Sequence, residues 1–530
     1  MSPIFTRGVY MSEYHSYWTY VESEGYQLFT IVCLPKKTGK FPTILYRTPY
    51  ANADEHMDEQ HLVEYFENNH KGGLAAGYAF IYQHCRGRGK STGDFIPYIH
   101  EREDTKALYE WVRQQDFYDG NLFINGGSYT SSVHFTAAPF DDDIKGAVLC
   151  IQDCERYNIK YRNGILRAGM HGKWFVENYK RKSRTNFEFD EKLFFTLPFT
   201  DFIKKAVGEE VESSSEALKH PNRDDPFWQT RFGGGEAHDA VKHTKVPILL
   251  VTGFFDIYTG GIFDMWNGMD EETKKESALI VHPNCHRIYG ADYPELFPDS
   301  DIQEHFGGIE LLWFDHILKG APSPCEKGKV SYYTLFENAW HTDDFSTPKN
   351  SLTFTIGEGE KTYLYDPADP AKFKGGLTTG WGGATYQDPP NSKQDILSFY
   401  TPDFAEDTVI GGRMKAKLRV KSDCEDTAFY MRISLKTEKG DFGLRDDITK
   451  LSNLHPDYKP GEEVEVEFDF DELSFMVKKG EALRIDISSS CFPTFLPHTN
   501  YAGLFSVQEK TKVAKNTVVL DKSTLTVFCE

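Results

Sequence analysis

Ser128, Asp256 and His286 lie far apart in the chain, and their types and order suit nucleophilic acyl transfer. A serine hydroxyl is a weak nucleophile until a histidine takes its proton, and the imidazole needs a carboxylate to orient it. In a parallel α/β sheet the expected order is serine, acid, histidine, each just past the C-terminal end of a strand. Ser128 sits in Ile124-Asn125-Gly126-Gly127-Ser128-Tyr129-Thr130-Ser131-Ser132, where a strand-like run meets Gly-Gly-Ser and a helix-compatible segment follows. This is the setting of a nucleophile elbow, where small residues permit a sharp turn that lifts the hydroxyl above the sheet. Thr130 replaces the second glycine of the strict G-x-S-x-G pattern. Asp256 closes Gly253-Phe254-Phe255-Asp256 after the run 246–252, and His286 closes Pro283-Asn284-Cys285-His286 after the run 278–282. Singly, Asp256 reads as a helix cap and His286 as a loop residue. Three strand ends in the required order reverse that reading.

Other chemistries find less support. His282, Cys285 and His286 are metal-ligand types, but Pro283 intervenes and no matching Cys/His cluster occurs elsewhere, so no metal is expected. Arg88-Gly89-Lys90-Ser91 resembles the end of a phosphate loop, yet His84 occupies the position of its first glycine. No G-x-G-x-x-G follows a strand, and no cofactor is expected.

These residues need a sheet to hold them. Apolar runs at 43–46, 78–82, 122–124, 146–149, 247–251 and 278–281 read as buried parallel strands. Between the second and third, residues 103–115 place Ala107, Leu108, Trp111 and Val112 on one helical face. Strands alternating with helices predict a parallel sheet covered on both sides. Residues 155–243 interrupt this pattern and are rich in Lys, Glu and aromatics, including Tyr157, Tyr161, Trp174 and Trp228; a mostly helical cap is expected. From residue 351 the period changes to two. Met414, Ala416, Leu418 and Val420 alternate with charged residues, as do Val464, Val466, Phe468 and Phe470, which predicts antiparallel strands of a β-sandwich. The predicted organisation is an α/β domain over 1–154 and 244–350, a cap over 155–243 and a sandwich over 351–530.

The 530 residues are too many for one ordinary core, and 39% hydrophobic residues with 40 Phe and 29 Tyr suffice for several. A net charge of −21 without a dense basic cluster argues against nucleic-acid binding. No apolar run approaches the ~20 residues of a membrane span, and the first residues lack a secretory signal, so a cytoplasmic protein without membrane attachment is expected. Nine cysteines spread from Cys33 to Cys529 read as reduced, mostly buried thiols. A homo-oligomer is left open.

Several segments together resemble the cocaine-esterase-like and X-Pro dipeptidyl-peptidase-like serine hydrolases (CocE/NonD, S15-type), a family that includes acylases and α-amino acid ester hydrolases. They are Tyr46-Arg47-Thr48-Pro49-Tyr50, Arg86-Gly87-Arg88-Gly89-Lys90-Ser91-Thr92-Gly93-Asp94-Phe95, Glu103-Asp104, Glu110-Trp111, Gly126-Gly127-Ser128-Tyr129, Gly253-Phe254-Phe255-Asp256 and Gly260-Gly261. In the second half they are Tyr363-Leu364-Tyr365-Asp366-Pro367-Ala368-Asp369-Pro370 and Ile487-Ser488-Ser489-Ser490-Cys491-Phe492-Pro493. The resemblance implies an α/β-hydrolase domain with an inserted helical cap and a C-terminal jelly-roll β-sandwich. It also implies Ser128 as nucleophile, Asp256 as orienting acid and His286 as base, with an oxyanion hole from the Tyr129 N–H and the Tyr50 hydroxyl. The chain departs from the family pattern at Ser131, where glycine is usual, at His84-Cys85, where an Asp commonly stands, and at His282-Pro283, where Gly-Pro is usual. His282 is therefore the fallback base.

The expected activity is acyl-enzyme hydrolysis of a small carboxylic ester or amide, with an esterase or acylase favoured. X-Pro dipeptidyl peptidases carry a further N-terminal helical domain, whereas this chain enters its first strands within about 50 residues. α-Amino acid ester hydrolases hold the substrate amine with clustered carboxylates. Phe254, Phe255 and Tyr258, with Trp174 of the cap, are candidates for an apolar substrate pocket. A binding protein on a hydrolase scaffold is the rival reading; a missing triad member would favour it, and none is missing.

Overall fold

The computed structural model describes residues 13–51, 54–180, 189–230, 232, 234, 240–377 and 383–529. Parts of the predicted cap, including 181–188 and 235–239, lie outside the described residues.

A ten-stranded sheet carries the first half. Its strands are β1 (His15–Ser23), β2 (Tyr26–Leu34), β3 (Phe41–Thr48), β4 (Ala79–His84), β5 (Tyr118–Gly127) and β6 (Ile144–Cys150). After a two-stranded hairpin, β7 (Tyr161–Arg162) with β8 (Ile165–Leu166), the sheet resumes with β9 (Ile248–Gly253), β10 (Ala278–His282), β11 (Val330–Thr334) and β12 (Ala339–Asp343). The order is β1-β2-β4-β3-β5-β6-β9-β10-β11-β12. Every pair from β4 to β11 is parallel, and the outer pairs are antiparallel. All six predicted strands lie in this parallel region.

The apolar runs are continuous because both faces are covered. Alternate residues feed separate cores: Ile44, Phe123, Val148, Leu249 and Ile280 pack with Trp313 and Phe314 on one side. Leu45, Ile124, Leu149, Leu250 and Val281 pack with Leu108 and Val112 on the other. The helix holding these last two, Glu101–Arg113, is the predicted amphipathic one.

The region between β6 and β9 is helical only in short pieces. Arg156–Lys160, Lys173–Asn178, Phe202–Val207 and Glu212–Ala217 have five or six residues each. Its aromatics stack on one another, as Tyr157, Tyr161 and Trp228 do, forming a core without long helices.

The C-terminal half is a β-sandwich. Its longest strand, Ala514–Cys529, pairs with Asn350–Thr355, Glu360–Tyr365, Thr408–Gly412 and Lys415–Ser422 in a seven-stranded sheet. Facing it is a four-stranded sheet of Leu397–Tyr400, Ala428–Thr437, Gly440–Lys450 and Ala482–Ser488. Ion pairs from Arg162 of the hairpin to Asp447 and Asp471, both 2.7 Å, fasten this half to the cap region. All nine cysteines are free and eight are buried. Among the described residues no helix is long and apolar enough to cross a membrane.

Candidate active site

The turn after β5 explains its glycines. A Cβ on Gly126 would come within 2.4 Å of the Thr130 carbonyl oxygen, and one on Gly127 within 2.8 Å of the Ile288 side chain. Ser128 adopts φ 57° and ψ −133°, a conformation that non-glycine residues rarely hold and that marks a strained elbow. Helix Tyr129–Phe135 begins immediately after it. Ser131, where glycine was expected, is fully buried and useful: its hydroxyl donates to the Gly126 carbonyl at 2.6 Å and accepts from the Cys150 N–H at 3.0 Å. It ties the elbow to β6.

The loops after β9 and β10 bring the other two residues to the same sheet edge. His286 Nε2 lies 2.7 Å from Ser128 Oγ, and His286 Nδ1 lies 2.9 Å from Asp256 Oδ2. Asp256 is fully buried, and its Oδ1 accepts from the Tyr258 N–H at 3.0 Å. Burial pushes its carboxyl pKa up, while the facing imidazole opposes that rise. The His286 loop is braced by Asn284, which donates to the Gly290 carbonyl at 2.6 Å and accepts from the Asp292 N–H at 2.7 Å.

Tyr50 reaches this cluster from the loop after β3. Its hydroxyl is 3.2 Å from Ser128 Oγ and also accepts from the Tyr129 N–H. Burial raises the phenol pKa, so the oxygen keeps its proton and remains a donor at neutral pH. Arg88, fully buried, holds the segment by donating from Nε to the Pro49 carbonyl at 2.6 Å. The Tyr129 side chain points the other way, donating to Glu101 at 2.6 Å and accepting from the Tyr98 N–H at 2.6 Å. Glu101 and Asp104 in turn pair with buried Arg47. Beneath the nucleophile therefore lies a hydrogen-bonded charge network drawn from three separate segments.

The remaining candidates divide. The Tyr258 ring centre is 5.6 Å from that of His286, and the half-buried Trp174 stacks on Tyr129 at 5.3 Å. Phe254 and Phe255 do not line a pocket, which corrects the sequence expectation. They are 0% and 1% exposed and pack toward the sandwich, against Phe345 and Phe442 respectively. Their backbone N–H groups bond to the His282 and Asn284 carbonyls, which turns both rings inward. His282 is buried in β10 with neither ring nitrogen bonded, and burial pushes its pKa down to about 4; His286, not His282, meets Ser128. Cys285 faces away from His286, with Sγ 3.1 Å from the Tyr293 hydroxyl. His84 uses both ring nitrogens to hold a loop, toward Asp54 at 3.0 Å and the Lys90 N–H at 3.2 Å.

The arrangement can pass a proton from Ser128 to His286 and offer two donors to an oxygen bound beside the serine. Comparison with known proteins places it. Residues 24–287 match the X-Pro dipeptidyl-peptidase (S15 family) model, and residues 326–525 match that of the X-Pro dipeptidyl-peptidase C-terminal non-catalytic domain. The chain belongs to the cocaine-esterase and X-Pro dipeptidyl-peptidase-like (S15) family. It is a hydrolase of that type. This S15-type chain is 23% identical to a cocaine esterase of Rhodococcus sp. (strain MB1 Bresler) over 553 residues, covering 92% of each. Its fold is similar to that of an aminopeptidase from a marine sediment Thaumarchaeota archaeon, with TM-score 0.77, 19% identity, and 100% and 98% of the chains covered. An α-amino acid ester hydrolase gives TM-score 0.78 at 17% identity, covering 100% of both.

Sequence reasoning missed Arg88, Tyr98 and the Arg47–Glu101–Asp104 network. Their only signal was membership of the motifs that carried the resemblance, since each acts through contacts remote in sequence.

Proposed function

We propose that this S15-type hydrolase cleaves carboxylic esters or amides through an acyl-enzyme on Ser128. The observation that carries the reading is the continuous relay from Ser128 Oγ through His286 to Asp256, at 2.7 and 2.9 Å. His286 Nε2 takes the serine proton as Oγ attacks the carbonyl carbon. Asp256 holds the Nδ1–H tautomer and stabilises the imidazolium. The Tyr50 hydroxyl and the Tyr129 N–H, which now meet at one oxygen, donate to the tetrahedral oxyanion. The imidazolium gives its proton to the departing alcohol or amine. Water then attacks the acyl-enzyme by the same route in reverse.

The likeness to a cocaine esterase over most of both chains supports an esterase or acylase acting on a small molecule. The X-Pro dipeptidyl-peptidase model supports an amidase as the second reading. A panel of 4-nitrophenyl alkanoates, aminoacyl esters and X-Pro 4-nitroanilides separates these classes. Hydrolysis of at least one class, abolished by Ser128→Ala, is expected. Equal turnover by wild type and Ser128→Ala would refute the proposal.

A further inference from the structure

The cap region closes over the triad with buried cations that have no counter-charge. Arg156 and Lys160 stand at i and i+4 of the short helix Arg156–Lys160, on one face, and are 3% and 6% exposed. Arg156 adjoins the nucleophile: its Nη1 donates at 3.2 Å to Ser132, one turn along the helix from Ser128. Its guanidinium lies 3.4 Å over the Tyr98 ring, which contacts Tyr129 at 4.5 Å. Between the two cations, Ile159 packs with Ile257 and Tyr258 of the acid loop. The helix thus bridges the serine and the acid sides of the site.

Neither charge is answered. Arg156 Nε and Nη2 are buried without hydrogen-bond partners. Glu101 is the one carboxylate among the charges acting on Arg156, and it is already held by Arg47 and the Tyr129 hydroxyl. Lys160 has the Trp228 ring at 6.0 Å and Arg156 as its charged neighbour. His171 adds a third basic side chain within reach of both. A nearby polar cavity of about 190 Å³ shows the contrast, because there Arg162 pairs with Asp447 and Asp471, and Arg223 with Glu155 at 2.7 Å. Adjacent like charges buried without a partner are unfavourable unless an anion joins them. Burial pushes the Lys160 ammonium down to about 7, which reflects the same want of an anion. A site built for a substrate amine would need carboxylates in this place.

We propose that Arg156 and Lys160 hold a carboxylate of the substrate, so that the enzyme selects esters or amides bearing a free acid group. The inference rests on the serine-hydrolase reading and deepens it. The protein's overall charge of −21 disfavours anions at long range, so a preference for them must come from local groups.

The test compares kcat/KM for mono-4-nitrophenyl adipate with 4-nitrophenyl hexanoate, and for 4-acetoxybenzoate with its methyl ester. The first pair puts the acid in the acyl half and the second in the leaving half. Wild type should favour the anionic member of one pair by at least about tenfold, as a charge-assisted hydrogen bond allows. That ratio should collapse in Lys160→Glu and in Lys160→Gln, the milder variant should the reversal fail to fold by thermal melting. Arg156→Met provides an independent check. Charge-blind hydrolysis of both pairs by wild type, or a ratio that survives both Lys160 variants, overturns the inference while leaving the serine mechanism standing. No hydrolysis of any of the esters, with no labelling of Ser128, instead overturns the mechanism on which it rests.

Discussion

Replacing Tyr50 with phenylalanine removes one hydroxyl and little else. Ser128 keeps its contact to His286, and the Tyr129 N–H remains to face an oxyanion. Losing one preorganised oxyanion donor costs about 2.7–4 kcal/mol, or 10²–10³ in kcat. The Tyr50 side of the site meets solvent, the residue being 47% exposed, so water can partly replace the donor and the lower end applies. The expected fall is therefore about a hundredfold in kcat, with KM changed by less than about threefold, because the bond strengthens only in the transition state. Steady-state kinetics on the best ester of the panel, with thermal melting to verify the fold, read this out. A kcat within about tenfold of wild type would refute the reasoning, as would a large rise in KM at unchanged kcat.

Other outcomes follow from the same geometry. Asp256→Asn should lower kcat/KM by about 10⁴, because an amide can present its N–H to His286 and favour the wrong tautomer; a loss under a hundredfold in ester kinetics contradicts this. Ser131→Gly removes the hydroxyl that joins the Gly126 carbonyl to the Cys150 N–H, and should destabilise the fold by about 1–3 kcal/mol in urea unfolding, where an unchanged midpoint would count against it. Lys160→Met should raise Tm most at or below neutral pH. The folded-state pKa of Lys160, lowered to about 7 from 10.5, means that its buried charge opposes folding fully below about 7. As pH rises from there toward 10.5 the folded wild type sheds the proton while the unfolded chain keeps it, so the Tm gap should narrow; a gap independent of pH contradicts the assignment.

The candidate triad was legible because each residue ends a strand, and strand ends are marked by apolar runs that stop at Gly, Pro or Asp. Phe254 and Phe255 were misread because adjacency to Asp256 says nothing about side-chain direction. The hydrogen bonds to the β10 side of the loop fix that direction, and these are tertiary. The cap was read as helical from its composition, but its helices are short because stacked aromatics rather than long amphipathic faces hold it together. Arg156 and Lys160 looked like surface residues of that cap. Only the packing of Tyr98, Trp228 and Ile257 around them reveals that they are buried and unpaired.

Ser128 as the activated nucleophile is tested most directly by a fluorophosphonate probe with peptide mapping by mass spectrometry. The account predicts one adduct, on the peptide bearing Ser128, absent from Ser128→Ala and strongly slowed in His286→Ala. An adduct on another residue, or labelling that persists in Ser128→Ala, would contradict it.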